Sequence, residues 1–83
     1  MTHLAVVLSR NIGECWSVTI EPPVPGMQLN DAIGDFEGAC GYAAAIAANL
    51  FRPLVDITGT LSEAECSELV LRAAIKMAVE FID

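Results

Sequence analysis

Positive charge is what this chain has least of: Arg10, Arg52, Arg72 and Lys76 are its only arginines and lysines in 83 residues, against eleven aspartates and glutamates. The net charge is −7. Such a chain repels a phosphate backbone rather than neutralising it, so direct DNA or RNA binding is not expected. Histidine is nearly absent as well, because His3 is the only one. General base or nucleophilic catalysis needs a base beside the group it activates, and a lone histidine at the start of the first expected strand reads as an ordinary surface residue. Cysteine is sparse and dispersed: Cys15, Cys40 and Cys66 form no Cys-x-x-Cys pair of the kind zinc requires. An odd number cannot all pair within the chain, and reduced thiols buried as small hydrophobes are the expectation. No metal and no cofactor are expected, and the chain carries neither a P-loop nor a dinucleotide fingerprint. Gly38-Ala39-Cys40-Gly41 has the GxxG spacing of an RNA clamp, yet no lysine or arginine lies within ten residues of it.

Long hydrophobic runs are also missing. The longest weakly charged stretch, Gly38 to Phe51, covers fourteen residues and is too short to span a bilayer. Met1-Thr2-His3 leads straight into an apolar run without a basic segment or a cleavage site, so neither a signal peptide nor a membrane partner is expected, and a cytoplasmic location is. What the chain has in excess is apolar content, at 54% of its residues. A single domain over residues 1–83 has a high surface-to-volume ratio, so that much apolar content points to burial against a partner as well as in a core.

The pattern along the chain predicts an α+β fold in the order ββαβα, a three-stranded sheet with two helices packed on one face. Leu4, Val6 and Leu8 alternate with Ala5, Val7 and Ser9 in a first strand from His3 to Arg10. A turn at Asn11 to Glu14 leads to a second strand, Cys15 to Glu21, whose Trp16, Val18 and Ile20 face the core. Pro22, Pro23 and Pro25 with Gly26 end that strand in a stiff connector. Asp35 is placed to cap a helix from Phe36 to about Phe51, stopped by Arg52-Pro53. Its Gly38, Gly41, Ala45 and Ala48 form a small-residue stripe expected to pack closely on a neighbour. Leu54 to Thr58 reads as a third strand, ended by Gly59. Ser62-Glu63-Ala64-Glu65 is a capping box opening the last helix, with Leu61 and Cys66 as its hydrophobic staple.

That last helix is apolar on nearly every side. Glu65, Glu68, Arg72, Lys76, Glu80 and Asp83 make one narrow polar stripe, with Glu68 four residues before Arg72 as a supporting pair. Leu69, Val70, Ala73, Met77 and Phe81 lie on one side and Leu71, Ile75, Val79 and Ile82 on the other. A three-stranded sheet covers only one of these sides, so either the small-residue stripe of the first helix or a second copy of the chain covers the remainder. Leu71, Ile75 and Val79 are the expected oligomer interface.

The carboxylates cluster at helix starts: Asp31, Asp35 and Glu37 at the first, Glu63, Glu65 and Glu68 at the second. The macrodipole and capping favour carboxylates there without any function. Neither explains why so few cations compensate them. Asp31, Asp35, Glu37, Glu63 and Glu68 are thus the expected contacts to a basic protein surface, and their spacing lacks the alternation of a calcium loop. In size, charge and lack of catalytic motif the whole chain resembles the small acidic inhibitors encoded by phages and mobile elements, among them anti-CRISPR proteins. That resemblance implies a non-enzymatic inhibitor of a nucleic-acid-binding protein, acting as a nucleic-acid mimic in the host cytoplasm, and it carries over no individual residue. The alternative is an obligate homodimer or a small subunit of a larger assembly, joined through the last helix.

Overall fold

The computed structural model describes residues 4–10, 13–27 and 32–81, so expectations for His3, Asp31, Ile82 and Asp83 lie outside the described residues. Five elements follow in the expected order: β1 (Ala5–Arg10), β2 (Trp16–Glu21), α1 (Phe36–Leu50), β3 (Leu54–Asp56) and α2 (Glu63–Phe81). They make an α+β fold. The sheet order is β2-β1-β3, with β1 antiparallel to β2 and parallel to β3. The register sets Val6 opposite Ile20 and Leu54, and Leu8 opposite Val18. Side chains alternate along a strand, so this register gathers Val6, Leu8, Val18, Ile20 and Leu54 on one buried face. Thr19, Glu21 and Val55 stay exposed on the other.

α1 packs against all three strands, while α2 packs beside it on α1 and β3. Alanine makes the close approach of α1 feasible: Ala39, Ala43, Ala44 and Ala47 are buried together with Cys40 and Ile46. The small-residue stripe expected to pack closely does not do so. Gly38, Gly41 and Ala45 are exposed, and a side chain built at Gly41 would meet nothing within 4 Å. Ala44, one step round the helix, is buried instead, while Gly41 and Ala45 line an open groove of roughly 420 Å³ beside Leu69, Ala73 and Met77 of α2.

Trp16 is half-buried at the rim of the core rather than within it. Its ring lies 5.4 Å from Phe36, and the Arg10 guanidinium sits 5.8 Å from its centroid. The Trp16 backbone exchanges two hydrogen bonds with Ile33, 2.8 and 3.0 Å long, which pins the end of the connector to the outer edge of β2. β3 ends two residues earlier than its composition suggests. The Asp56 carboxylate accepts from the amides of Thr58 at 2.9 Å and Leu61 at 2.8 Å, and so turns the chain where β-rich residues alone would extend it.

Both helix starts have the expected caps. Asp35 Oδ2 accepts from the Gly38 amide at 3.1 Å. At α2 the Ser62 amide donates to Glu65 Oε1 at 3.0 Å while Ser62 Oγ accepts from the Glu65 amide at 3.1 Å, the reciprocal pair of a capping box. Leu61 and Cys66 both reach the core beneath it. α1 ends at Leu50, one residue before the expected Phe51 and ahead of the Arg52-Pro53 stop. Phe51 adopts the left-handed region (φ 56°, ψ 43°), and the Arg52 amide donates to the Ala47 carbonyl at 2.9 Å, closing the helix in a Schellman arrangement.

Candidate functional site

Short connections decide where the acidic residues go. Residues 51–53 join α1 to β3 and residues 57–62 join β3 to α2, so each helix reverses direction relative to β3. The two helices therefore run parallel, and their N-termini share one end of the molecule. Asp35 and Glu37 enter that end from α1, and Glu63, Glu65 and Glu68 from α2; all five are exposed. Two clusters, at positions 35–37 and 63–68 of the sequence, thus become one acidic end. Asp31, the remaining expected member, lies outside the described residues.

These carboxylates are not equivalent. Asp35 caps α1, and Glu65 is held below the usual carboxylate range by the Ser62 amide and hydroxyl. Glu68 pairs with Arg72 at 2.7 Å, both side chains well exposed. Glu37 and Glu63 sit in the first turns with exposed side chains, where the helix amides favour negative charge.

Beneath this end lie two thiols. Cys40 and Cys66 are buried, one from each helix, and burial pushes the Cys40 thiol up to about 11, with the Asp56 carboxylate and the Cys66 thiol adding to the effect. Burial also raises Cys66, against the opposing pull of the Asp56 backbone amide. Both therefore stay protonated near neutral pH and behave as packing groups rather than nucleophiles. Cys15 differs from expectation in being half-buried, with its sulfur 3.7 Å from the Gly13 carbonyl.

Asp56 is the residue the sequence did not single out. Burial works to raise its pKa, yet the Thr58 hydroxyl and the amides of Leu61, Thr58 and Thr60 outweigh it and hold the carboxyl below its ordinary value. It ties the end of β3 to the start of α2. An Asp-x-Thr-Gly-x-Leu run ahead of a capping box carries the signal, because aspartate commonly accepts from amides two residues on.

A second surface lies on α2. Leu71, Ile75 and Val79 are 60%, 55% and 63% exposed, with Ala74 and Ala78 exposed beside them. They occupy the face turned away from Cys66, Val70, Ala73 and Met77, which contact or approach the core.

Among the described residues no group of three or more His, Cys, Asp or Glu side chains is arranged to hold a metal ion, and no helix is long and apolar enough to cross a membrane. Compared with protein-family models, curated proteins and solved structures, the chain matches none.

Proposed function

We propose that this chain is a non-catalytic binding protein whose acidic end docks on a basic protein surface that otherwise holds nucleic acid, so that it acts as an inhibitor. The observation that supports this reading is the parallel pair of helices, which brings Asp35, Glu37, Glu63, Glu65 and Glu68 to one end of a chain with few cations. Three of those cations already have partners in the fold: Arg10 stands over Trp16, Arg52 donates to the Pro22 carbonyl at 2.8 Å, and Arg72 pairs with Glu68. A field of one sign at one end steers a partner of the opposite sign, and it does so mostly through the association rate.

The test replaces Glu37, Glu63 and Glu68 by lysine and leaves the capping residues Asp35 and Glu65 in place. Binding to basic proteins captured from a nuclease-treated host extract is then measured at several salt concentrations. The unmodified chain is expected to associate more slowly as salt rises, since charges more than about 8–10 Å apart are screened. The triple variant should bind at least about tenfold more weakly, a loss of about 1.4 kcal/mol. Unchanged affinity in a folded triple variant overturns the reading. A second reading, a subunit joined through an apolar helix face, is favoured by the exposure of Leu71, Ile75 and Val79.

A further inference from the structure

The outward face of α2 poses a different problem from the acidic end. A helix that is apolar on opposite sides is ordinarily covered on both. Here one side meets α1 and β3, and the other presents Leu71, Ile75 and Val79 more than half exposed. Side chains four apart on a helix stand one above another, so the three make a continuous ridge of a little over two turns, flanked by Ala74 and Ala78. Small flanking residues allow a second helix to approach closely.

We infer that this ridge is the two-fold interface of a homodimer in which the α2 helices of two copies pack antiparallel about Ile75. The spacing suits a second copy as the occupant. Leu71 and Val79 lie four residues to either side of Ile75, so a two-fold axis at Ile75 lays the ridge on its own copy without offset: Leu71 of each chain faces Val79 of the partner copy, and Ile75 faces itself. An isologous interface requires such self-complementarity, and an unrelated partner does not.

Charge points the same way. From Glu68 to Glu80 the charged residues are Glu68, Arg72, Lys76 and Glu80, two of each sign, so this face does not share the negative sign of the molecule. A basic partner would meet Arg72 and Lys76 at its edge. A second copy meets a face whose two carboxylates and two cations balance, with Glu68 paired to Arg72, while Glu63 and Glu65, ten or more residues from Ile75, stand about 15 Å or more away along the axis, beyond the screening length of about 8 Å at physiological salt. Covering the outward face from Glu68 to Glu80 on both copies removes on the order of 1,000 Å² of surface, at the threshold for a specific interface. That area suits a dimer in the micromolar range rather than an obligate one.

Sedimentation equilibrium from about 1 to 100 µM chain should show mass rising from 8.8 kDa toward twice that value. Ile75→Glu should shift the midpoint at least about tenfold upward in concentration. Cross-linking tests orientation independently, in a Cys15→Ser background so that only buried native thiols remain. Leu71→Cys mixed with Val79→Cys should form a disulfide-linked dimer under mild oxidation, Ile75→Cys should link to itself, and Leu71→Cys alone should not. A monomer at every concentration overturns the inference. Self-linking of Leu71→Cys, or no linking of the mixture, overturns the antiparallel two-fold even where Ile75→Glu fails to fold. The acidic-end reading is separable, because lysine at Glu37 and Glu63 should weaken partner binding with the dimer mass unchanged.

Discussion

Phe51 holds a left-handed backbone with a ring that is 94% exposed, so its position is set by the main chain and not by packing. A residue with a Cβ is strained there by about 1–2 kcal/mol, and glycine is not. Phe51→Gly should therefore stabilise the fold by up to about 1 kcal/mol, read as a higher urea midpoint at unchanged slope. A lower midpoint would mean that the ring makes contacts worth more than the strain. Asp56 is the opposite case, a side chain that organises a turn. Its folded pKa lies below the ordinary 3.8, so the stability it contributes is present above the unfolded value and is lost as pH falls through the folded one. Asp56→Ala should cost about 2 kcal/mol at neutral pH, the range for hydrogen bonds to a charged group. The variant should also lose part of the acid sensitivity of the parent below about pH 4, because the linked proton is gone. Equal pH profiles for the two chains would remove Asp56 as the acid-sensitive group.

At the scale of elements, the start of α2 was the most legible feature in the chain. Serine and glutamate three apart, preceded by leucine, specify the cap through local chemistry alone, and the two reciprocal hydrogen bonds are present. Ser62→Ala should cost about 1 kcal/mol in thermal or urea unfolding. A far smaller change would show that Asp56, through the Leu61 amide, holds the helix start without the cap. The strand alternation was legible for the same reason, since Val6, Leu8, Val18 and Ile20 need only a period of two to find their face. What pattern could not supply was which side of α1 the second helix would choose. Gly41 and Ala45 offered one small-residue stripe, and Ala44 and Ala47 one step away another equally small; in the fold the second pair is buried and the first exposed. The third strand was overextended because Ile57 and Thr58 have high β propensity, and only the reach of the Asp56 carboxylate ends it.

For the whole molecule, the sequence located each acidic cluster on its own helix, and the convergence of the two clusters was out of reach until strand order and connection lengths set the helices parallel. Likewise the exposed ridge of α2 followed from an apolar circumference and a small sheet, whereas its symmetry about Ile75 mattered only once nothing in the fold covered it. The sheet has a further consequence, which concerns the time in which the chain assembles. β1 is the central strand, but its partners are unequal in distance: Val6 meets Ile20 after fourteen positions and Leu54 only after forty-eight. A chain emerging from the ribosome can close the local hairpin early, since nearby contacts form at small entropic cost. The opposite edge of β1 then stays unpaired until β3 has been made, an open row of amides and carbonyls of the kind that recruits foreign strands. β3 has three residues to close it, and the Asp56 turn and the packing of α2 behind them hold it there. The C-terminal third thus acts as a latch on a hairpin already formed, and a chain stopped short of β3 presents an adhesive intermediate rather than a smaller version of the same protein.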